Sequence, residues 1–168
     1  MYSLHATKKL RDRAKHPVLA AVANPTTWLG NWYATVLFWR PQLALLVNEQ
    51  TLFPVLMPLV PAATVLDRFP TALGPTLAAA GVERRFIDAE LAEMSNGQWA
   101  KTASRSVLGI MNEFTFLASD SRHRHDFDPI GLALWLAQIP CGPLYGRHVS
   151  PDRELAASVG LWVAERNM

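Results

Sequence analysis

Cysteine occurs once in this chain of 168 residues, at Cys141, so no disulfide can form within it. Charge is sparse too. Asp, Glu, Lys and Arg make up 18% of the residues against 50% hydrophobic ones, which is too apolar for a disordered chain and calls for a filled interior. The charge-free run Gln50–Leu66 is shorter than the ~20 residues of a spanning helix, and Pro54, Pro58 and Pro61 interrupt it. The opening MYSLHATKKLRDRAKH lacks the basic, apolar and small-residue order of a signal peptide. Neither GxGxxG nor GxxxxGK[ST] is present, and no GxSxG elbow places a nucleophilic serine. These absences lead to the expectation of a cytoplasmic protein in a reducing compartment, with no membrane association, no cofactor and no metal.

The residues that are present fit a single domain, 1–168, long enough to bury a core. YSLHAT alternates as a short strand, and KKLRDRAK follows as a short helix with Thr7 at its cap and Pro17 beyond its end. The segment NWYATVLFWR is rich in aromatic and β-branched residues and reads as a central strand, followed by LALLVNE and LFPVLMPL. Pro54 and Pro58 place the last of these at a sheet edge or bulge. Short connections join the three runs, so the pattern predicts an antiparallel meander over residues 32–58. Within AATVLDRFPTALGPTLAAAG, Pro70 and Pro75 are expected to break the helix into pieces. A helix over VERRFIDAELAEM, a short strand GQWAKTA and helices from Ser104, Asp128 and Ser150 complete the order. The fold class is therefore α+β: a small antiparallel sheet, the meander plus the N-terminal strand, with helices packed against it.

Charge is distributed unevenly. Residues 1–41 carry six bases (Lys8, Lys9, Arg11, Arg13, Lys15, Arg40) against Asp12 alone, which suits either a solvated face or attraction to phosphate-bearing partners. Two helix starts are anomalous. Ser104 is a natural N-cap, yet Lys101 and Arg105 flank it, and Thr7 precedes Lys8–Lys9. Cations there oppose the helix dipole by about 0.3–1 kcal/mol each. Elsewhere the chain follows the rule, with Asp128–Pro129 and Ser150–Pro151–Asp152 putting acids at helix starts. An anion at the two basic starts would convert the penalty into a gain. That anion is either an external phosphate-bearing ligand or a carboxylate of the chain, such as Glu49, Glu113 or Asp120. On the helix from Ser104, Val107, Ile110, Met111, Phe114 and Ala118 form the core stripe, while Arg105, Gly109 and Asn112 share the opposite face. The candidate ligand-binding residues are His5, Thr7, Lys8, Lys101, Ser104, Arg105 and Asn112.

Other clusters carry weaker signals. RHRHDFD puts His123 and His125 beside Asp126 and Asp128, but all lie in one short loop whose arginines repel a cation. Cys141 and His148 fall in a turn-rich stretch, PCGPLYGRH, and a Cys–His pair is one form of activated nucleophile; a buried small thiol is the simpler reading. Trp28, Trp32 and Trp39 can stack ligands, although core packing accounts for them equally well.

Taken together, LHATKKL, NWYATVLFWRPQ, LLVNEQT and KTASRSVLGIMN resemble an uncharacterised family of bacterial domains of unknown function. The shared features are His5, Thr7, Lys8, Lys9 and Leu10; Trp32 and Ala34; Val47 and Asn48; and Lys101, Thr102, Arg105, Ser106, Val107, Met111 and Asn112. The resemblance runs to about Phe114. It implies a small bacterial α+β protein and no particular activity.

The resulting expectation is a binding module for an anionic small molecule or nucleic acid. Two rivals stand beside it. One is a hydrolase or nuclease using His5 or the His123–Asp128 loop as base, and the other an interaction protein whose aromatic surplus forms a homodimer or partner surface.

Overall fold

The structure, a computed structural model, describes residues 1–18, 21–121 and 128–168. Its strands are β1 (Tyr2–Ala6), β2 (Trp32–Leu37), β3 (Leu43–Asn48), β4 (Pro54–Pro58) and β5 (Gly97–Lys101). Its helices are α1 (Lys8–Ala14), α2 (Val65–Ala79), α3 (Arg84–Ala92), α4 (Arg105–Ser121), α5 (Pro129–Ala137) and α6 (Pro151–Arg166). Among the described residues no helix is long and apolar enough to cross a membrane.

The strand order is β4-β3-β2-β1-β5. The expected meander is present: β2 pairs antiparallel with β3, and β3 with β4, with β2 at the centre and the proline-bearing β4 at an edge. The first strand corrects the expectation of an antiparallel sheet. β1 runs parallel to both neighbours, with His5 opposite Tyr33 of β2 and Ala100 of β5. The cause is connection length, because α1 and the long segment after it return the chain to the end of the sheet where β1 began, and a strand entered from there runs parallel. The sheet is therefore mixed.

Strand alternation sends two sets of side chains to two faces, and each face holds a core. Tyr2, Leu4, Ala6, Trp32, Ala34, Leu46, Val55 and Met57 pack with α2, α3 and α6, where Phe69, Leu73, Phe86 and Trp162 are fully or nearly fully buried. On the other face Tyr33, Leu37, Leu45, Val47 and Leu56 meet Val107, Ile110, Met111 and Phe114 of α4 and Leu132 and Leu136 of α5. The stripe read from the α4 sequence is the stripe that is buried, and each of its Val, Ile, Met and Phe side chains contributes about 1.5–3 kcal/mol. Most of the aromatic surplus is inside these two cores, which removes much of the reasoning that led to a homodimer.

Two local details depart from the simplest expectation for physical reasons. Thr7 holds the N-cap position of α1, its carbonyl accepting from Arg11 N at 2.9 Å, but its side chain makes no capping bond and its hydroxyl donates to the Thr35 hydroxyl at 3.0 Å. Pro70 and Pro75 do not break α2, which continues through both. Pro75 is exposed, so the Thr71 carbonyl it leaves without an amide can meet solvent. Pro70 withholds an amide from Leu66 O, deeper in the fold, and the Tyr2 hydroxyl donates to that carbonyl at 3.0 Å. With that bond supplied, burial of Leu66, Phe69, Leu73 and Leu77 outweighs the proline penalty.

Buried polar groups pin the segment leading into β2. Glu90 accepts from Trp28 N and Leu29 N at 2.8 and 3.0 Å, and burial raises its pKa despite those bonds. Asn48 donates to Leu29 O at 2.8 Å while its Oδ1 accepts from Gln50 N, Thr51 N and the Thr51 hydroxyl.

Removal of the Tyr2 hydroxyl tests the account of α2. Tyr2→Phe is expected to cost about 1–3 kcal/mol in denaturant unfolding. In a Pro70→Ala background the helix supplies its own amide, so the same change should cost clearly less. Equal losses in both backgrounds would contradict the role assigned to the hydroxyl.

Candidate functional site

β1 and β5 are adjacent and parallel, so their carboxyl ends lie side by side at one rim, with Ala6 opposite Lys101. From that rim the chain leaves in opposite directions. α1 follows β1 and buries Leu10 and Ala14 on the Tyr2–Leu4 face, whereas α4 follows β5 and packs on the Tyr33 face. Adjacent parallel strands whose following helices go to opposite faces leave a crevice between their ends, the place where open α/β sheets hold ligands.

The two faces differ in polarity around β1. Toward α2 stand Tyr2, Leu4, Ala6 and Trp99. On the other side stand Ser3, His5 and Gln98, with Thr35 and Tyr33 beside them on β2, because α4 lies over β2 and β3 rather than over β1. Gln98 donates to the Ser3 hydroxyl at 2.8 Å. The His5 ring stacks on Tyr33 with centroids 4.6 Å apart and planes inclined by 15°. Its Nδ1 lies 2.7 Å from Lys101 O. A carbonyl only accepts, so Nδ1 carries the proton and Nε2 of the neutral ring is an acceptor. His5 is 6% exposed, and Nε2 has no partner among the described residues.

The Tyr33 hydroxyl, one ring away, accepts from Ser104 N at 3.0 Å and so fixes the entry to α4. Ser104 is the expected N-cap, its Oγ accepting from Val107 N at 3.2 Å. The Arg105 and Ser106 amides have no acceptor among the described residues. By alternation Lys101 leaves β5 on the Trp99 side while α4 begins on the other, so Lys101 and Arg105 bracket the strand end from both faces. Both are exposed, and neither pairs with any described carboxylate, Glu49, Glu113 and Asp120 included.

The structure thus gathers His5, Thr7, Lys101, Ser104 and Arg105 at one rim. Two other sequence-predicted residues stand apart. The Lys8 ammonium bonds to Asp12 one turn on, at 2.8 Å, and both are exposed. Asn112 shares the solvent face of α4 with Arg105 but lies seven residues along, roughly 10 Å of rise. A Cβ on Gly109, between them, would meet nothing within 4 Å. Tyr33 and Thr35 belong to the rim and escaped the sequence reading, which treated β2 as core. Polar groups at alternate positions of that apolar strand were the available signal.

The other candidates fare differently. The His123–Asp128 loop lies outside the described residues except for Asp128, which caps α5 by accepting from Ile130 N at 3.1 Å. Cys141 is buried, and burial followed by the Glu113 carboxylate pushes its thiol up to about 11, the reverse of what a nucleophile needs. Its expected partner His148 bonds to Glu154 instead. Trp32 packs edge-on against Phe69 in the core, and Trp28 and Trp39 donate to Ser158 and Ser119, so all three have structural employment.

The family model described as a domain of unknown function, DUF6933, matches residues 3–154, and the chain belongs to that family. The match includes the whole rim and continues past Phe114 to Glu154. No curated protein and no solved structure matches the chain.

Tyr33→Phe isolates the link between β2 and α4. It removes the acceptor of Ser104 N and keeps the ring under His5, so stability should fall by about 1 kcal/mol. Amide exchange should accelerate at Ser104 and the first turn of α4 ahead of the rest of the helix. Unchanged exchange there would contradict the linkage.

Proposed function

We propose that this member of the DUF6933 family is a binding module for a small phosphate-bearing ligand, held in the crevice at the carboxyl ends of β1 and β5. The observation that carries the reading is the combination at that rim of two exposed cations, Lys101 and Arg105, with no described carboxylate against them and two free α4 amides between them. Guanidinium and ammonium groups supply charge, the Arg105 and Ser106 amides supply oriented donors, and His5 Nε2 adds a contact that accepts from a protonated ligand or donates once protonated. The two-turn α1 contributes little dipole of its own, so its amides are secondary.

A small anion suits the rim better than a long polyanion. Several bases of the N-terminal segment are already engaged: Lys8 with Asp12, Arg11 Nε with Ala6 O at 3.2 Å, and Arg13 with Gln42 Oε1 at 2.6 Å. That segment is therefore less of an open basic surface than its composition suggests.

Calorimetric titration with inorganic phosphate checks the proposal. Binding is expected to weaken as salt is added, and Arg105→Ala should reduce it by about 1.5–3 kcal/mol. The substitution should leave the unfolding midpoint nearly unchanged, because Arg105 is exposed and off the core stripe. An unchanged affinity, or a variant whose chief effect is a lower midpoint, would assign Arg105 a structural role instead.

A further inference from the structure

A second cleft lies at the other end of the sheet, between α6 and the β3–β4 turn. The register places that turn beside the start of β2, where Asn48 faces Trp32, away from the rim formed by Ala6 and Lys101. The cleft has a volume of about 330 Å³, near the lower end for a small-molecule pocket, and its walls include Trp28, Gln50, Arg147, His148, Ser158 and Leu161.

Its chemistry centres on Glu154, which is 4% exposed on the first turns of α6. The carboxylate accepts from the Arg147 guanidinium, from His148 N at 3.2 Å and from His148 Nδ1 at 3.0 Å. Nδ1 therefore carries its proton toward the carboxylate, and Nε2 of the neutral ring is left as a lone-pair acceptor. No described residue bonds to Nε2, and the side chain is 53% exposed. A buried carboxylate behind one imidazole nitrogen and an open second nitrogen is the arrangement that lets a histidine accept a proton, since the imidazolium forms against a fixed negative charge.

Loop hydrogen bonds hold this histidine in place against backbone strain. The next residue, Val149, has φ +75, a left-handed conformation that a β-branched residue adopts only when its surroundings impose it. Val149 N donates to Leu144 O, and Cys141 N to Val149 O, both at 2.9 Å, so loop pairing fixes the strained residue and aims its neighbour. The opposite wall is equally fixed, because Trp28 Nε1 donates to Ser158 O and Oγ at 3.0 Å each.

The charge balance separates this cleft from the rim. Arg147 and Glu154 offset one another, so with His148 neutral the cleft has no surplus charge to draw an anion. Its walls suit a flat apolar body, with Trp28 fixed on one side and an exposed Leu161 at the mouth. We propose that the cleft binds a neutral aromatic ring bearing an acidic hydroxyl, the ring against Trp28 and the hydroxyl donating to His148 Nε2, to which it passes its proton. The ligand O–H bond breaks as the Nε2–H bond forms, the electron pair stays on the ligand oxygen, and the imidazolium faces Glu154 through Nδ1–H. Arg147 then stands beside an anion that arrived as a neutral molecule.

m-Nitrophenol, a weaker acid than its para isomer, reports this directly, because its phenolate is yellow and its phenol is not. Buffered below that phenol's own pKa but above the ~6.5 of a free imidazole, the full chain is expected to produce a saturable gain in phenolate absorbance. In the same titration, NMR should move one of the five histidine ring resonances toward the imidazolium position. His148→Gln should abolish both signals, whereas Arg105→Ala, at the other end of the sheet, should leave both intact. The wild-type NMR signal keeps the test decisive if the His148 variant folds poorly. No saturable absorbance change, a change retained in His148→Gln, or one lost in Arg105→Ala would overturn the proposal.

Discussion

The parallel pairing of β1 on both of its edges is the constraint on which the rest of this structure depends. All five residues of Tyr2–Ala6 are buried, and the strand is flanked by β2 on one side and β5 on the other. Without it, the β2–β3–β4 meander and β5 have no common hydrogen-bonding partner, and the two cores lose their shared wall. Pairing with β5 in the parallel sense also sets the carboxyl ends of both strands at one rim. The helices that follow part to opposite faces there because α1 and α4 carry apolar stripes that belong to different cores. The crevice is thus a consequence of strand direction and of which helix face is greasy, and its polar residues are added to a geometry already fixed.

Buried polar groups then tie the irregular segments to that frame. Ser3 N of β1 donates to Asn31 Oδ1 at 2.9 Å, Asn48 holds Leu29 O, and Glu90 collects the Trp28 and Leu29 amides. Two side chains from β3 and α3, with the β1 backbone donating to Asn31, therefore fix one short stretch, 28–31, whose backbone groups would otherwise be buried without partners. The same logic governs Leu66 O, where a proline removes the helical donor and a tyrosine from β1 replaces it. The indole nitrogen of Trp32 is the exception among the described residues, being buried without an acceptor.

Local pattern made much of the fold legible before the structure was known. The meander, the edge position of β4, the α4 stripe and the Ser104 cap follow from alternation, proline placement and helical period, all of which act over a few residues. Strand direction was not legible in that way, since β1 carries the same alternation whether it is paired parallel or antiparallel. The proline-containing α2 was misread because the compensating donor, Tyr2, lies 64 positions away. At the rim, anomalous cations exposed Lys101 and Arg105, while Tyr33 and Thr35 were hidden in a strand that looked uniformly apolar. The Glu154–His148 pair was missed for a different reason. His148 shares the turn-rich segment with Cys141, and nothing in the spacing shows that a glutamate on the next helix claims it.

The rim and the cleft at opposite ends of the sheet differ in what they can hold. Among the described residues, the rim has two cations with no carboxylate against them and oriented amides, and the cleft an ion pair behind an imidazole nitrogen without a partner. The central claim is that an anion belongs at the first of these, between the ends of β1 and β5. Backbone amide NMR of the unmodified chain during a titration with inorganic phosphate tests it most directly. The account predicts saturable shifts led by Arg105 and Ser106, with smaller ones at Lys101 and Thr7–Lys9. Shifts led instead by Arg147 and His148, or no saturable shift at any amide, would contradict it.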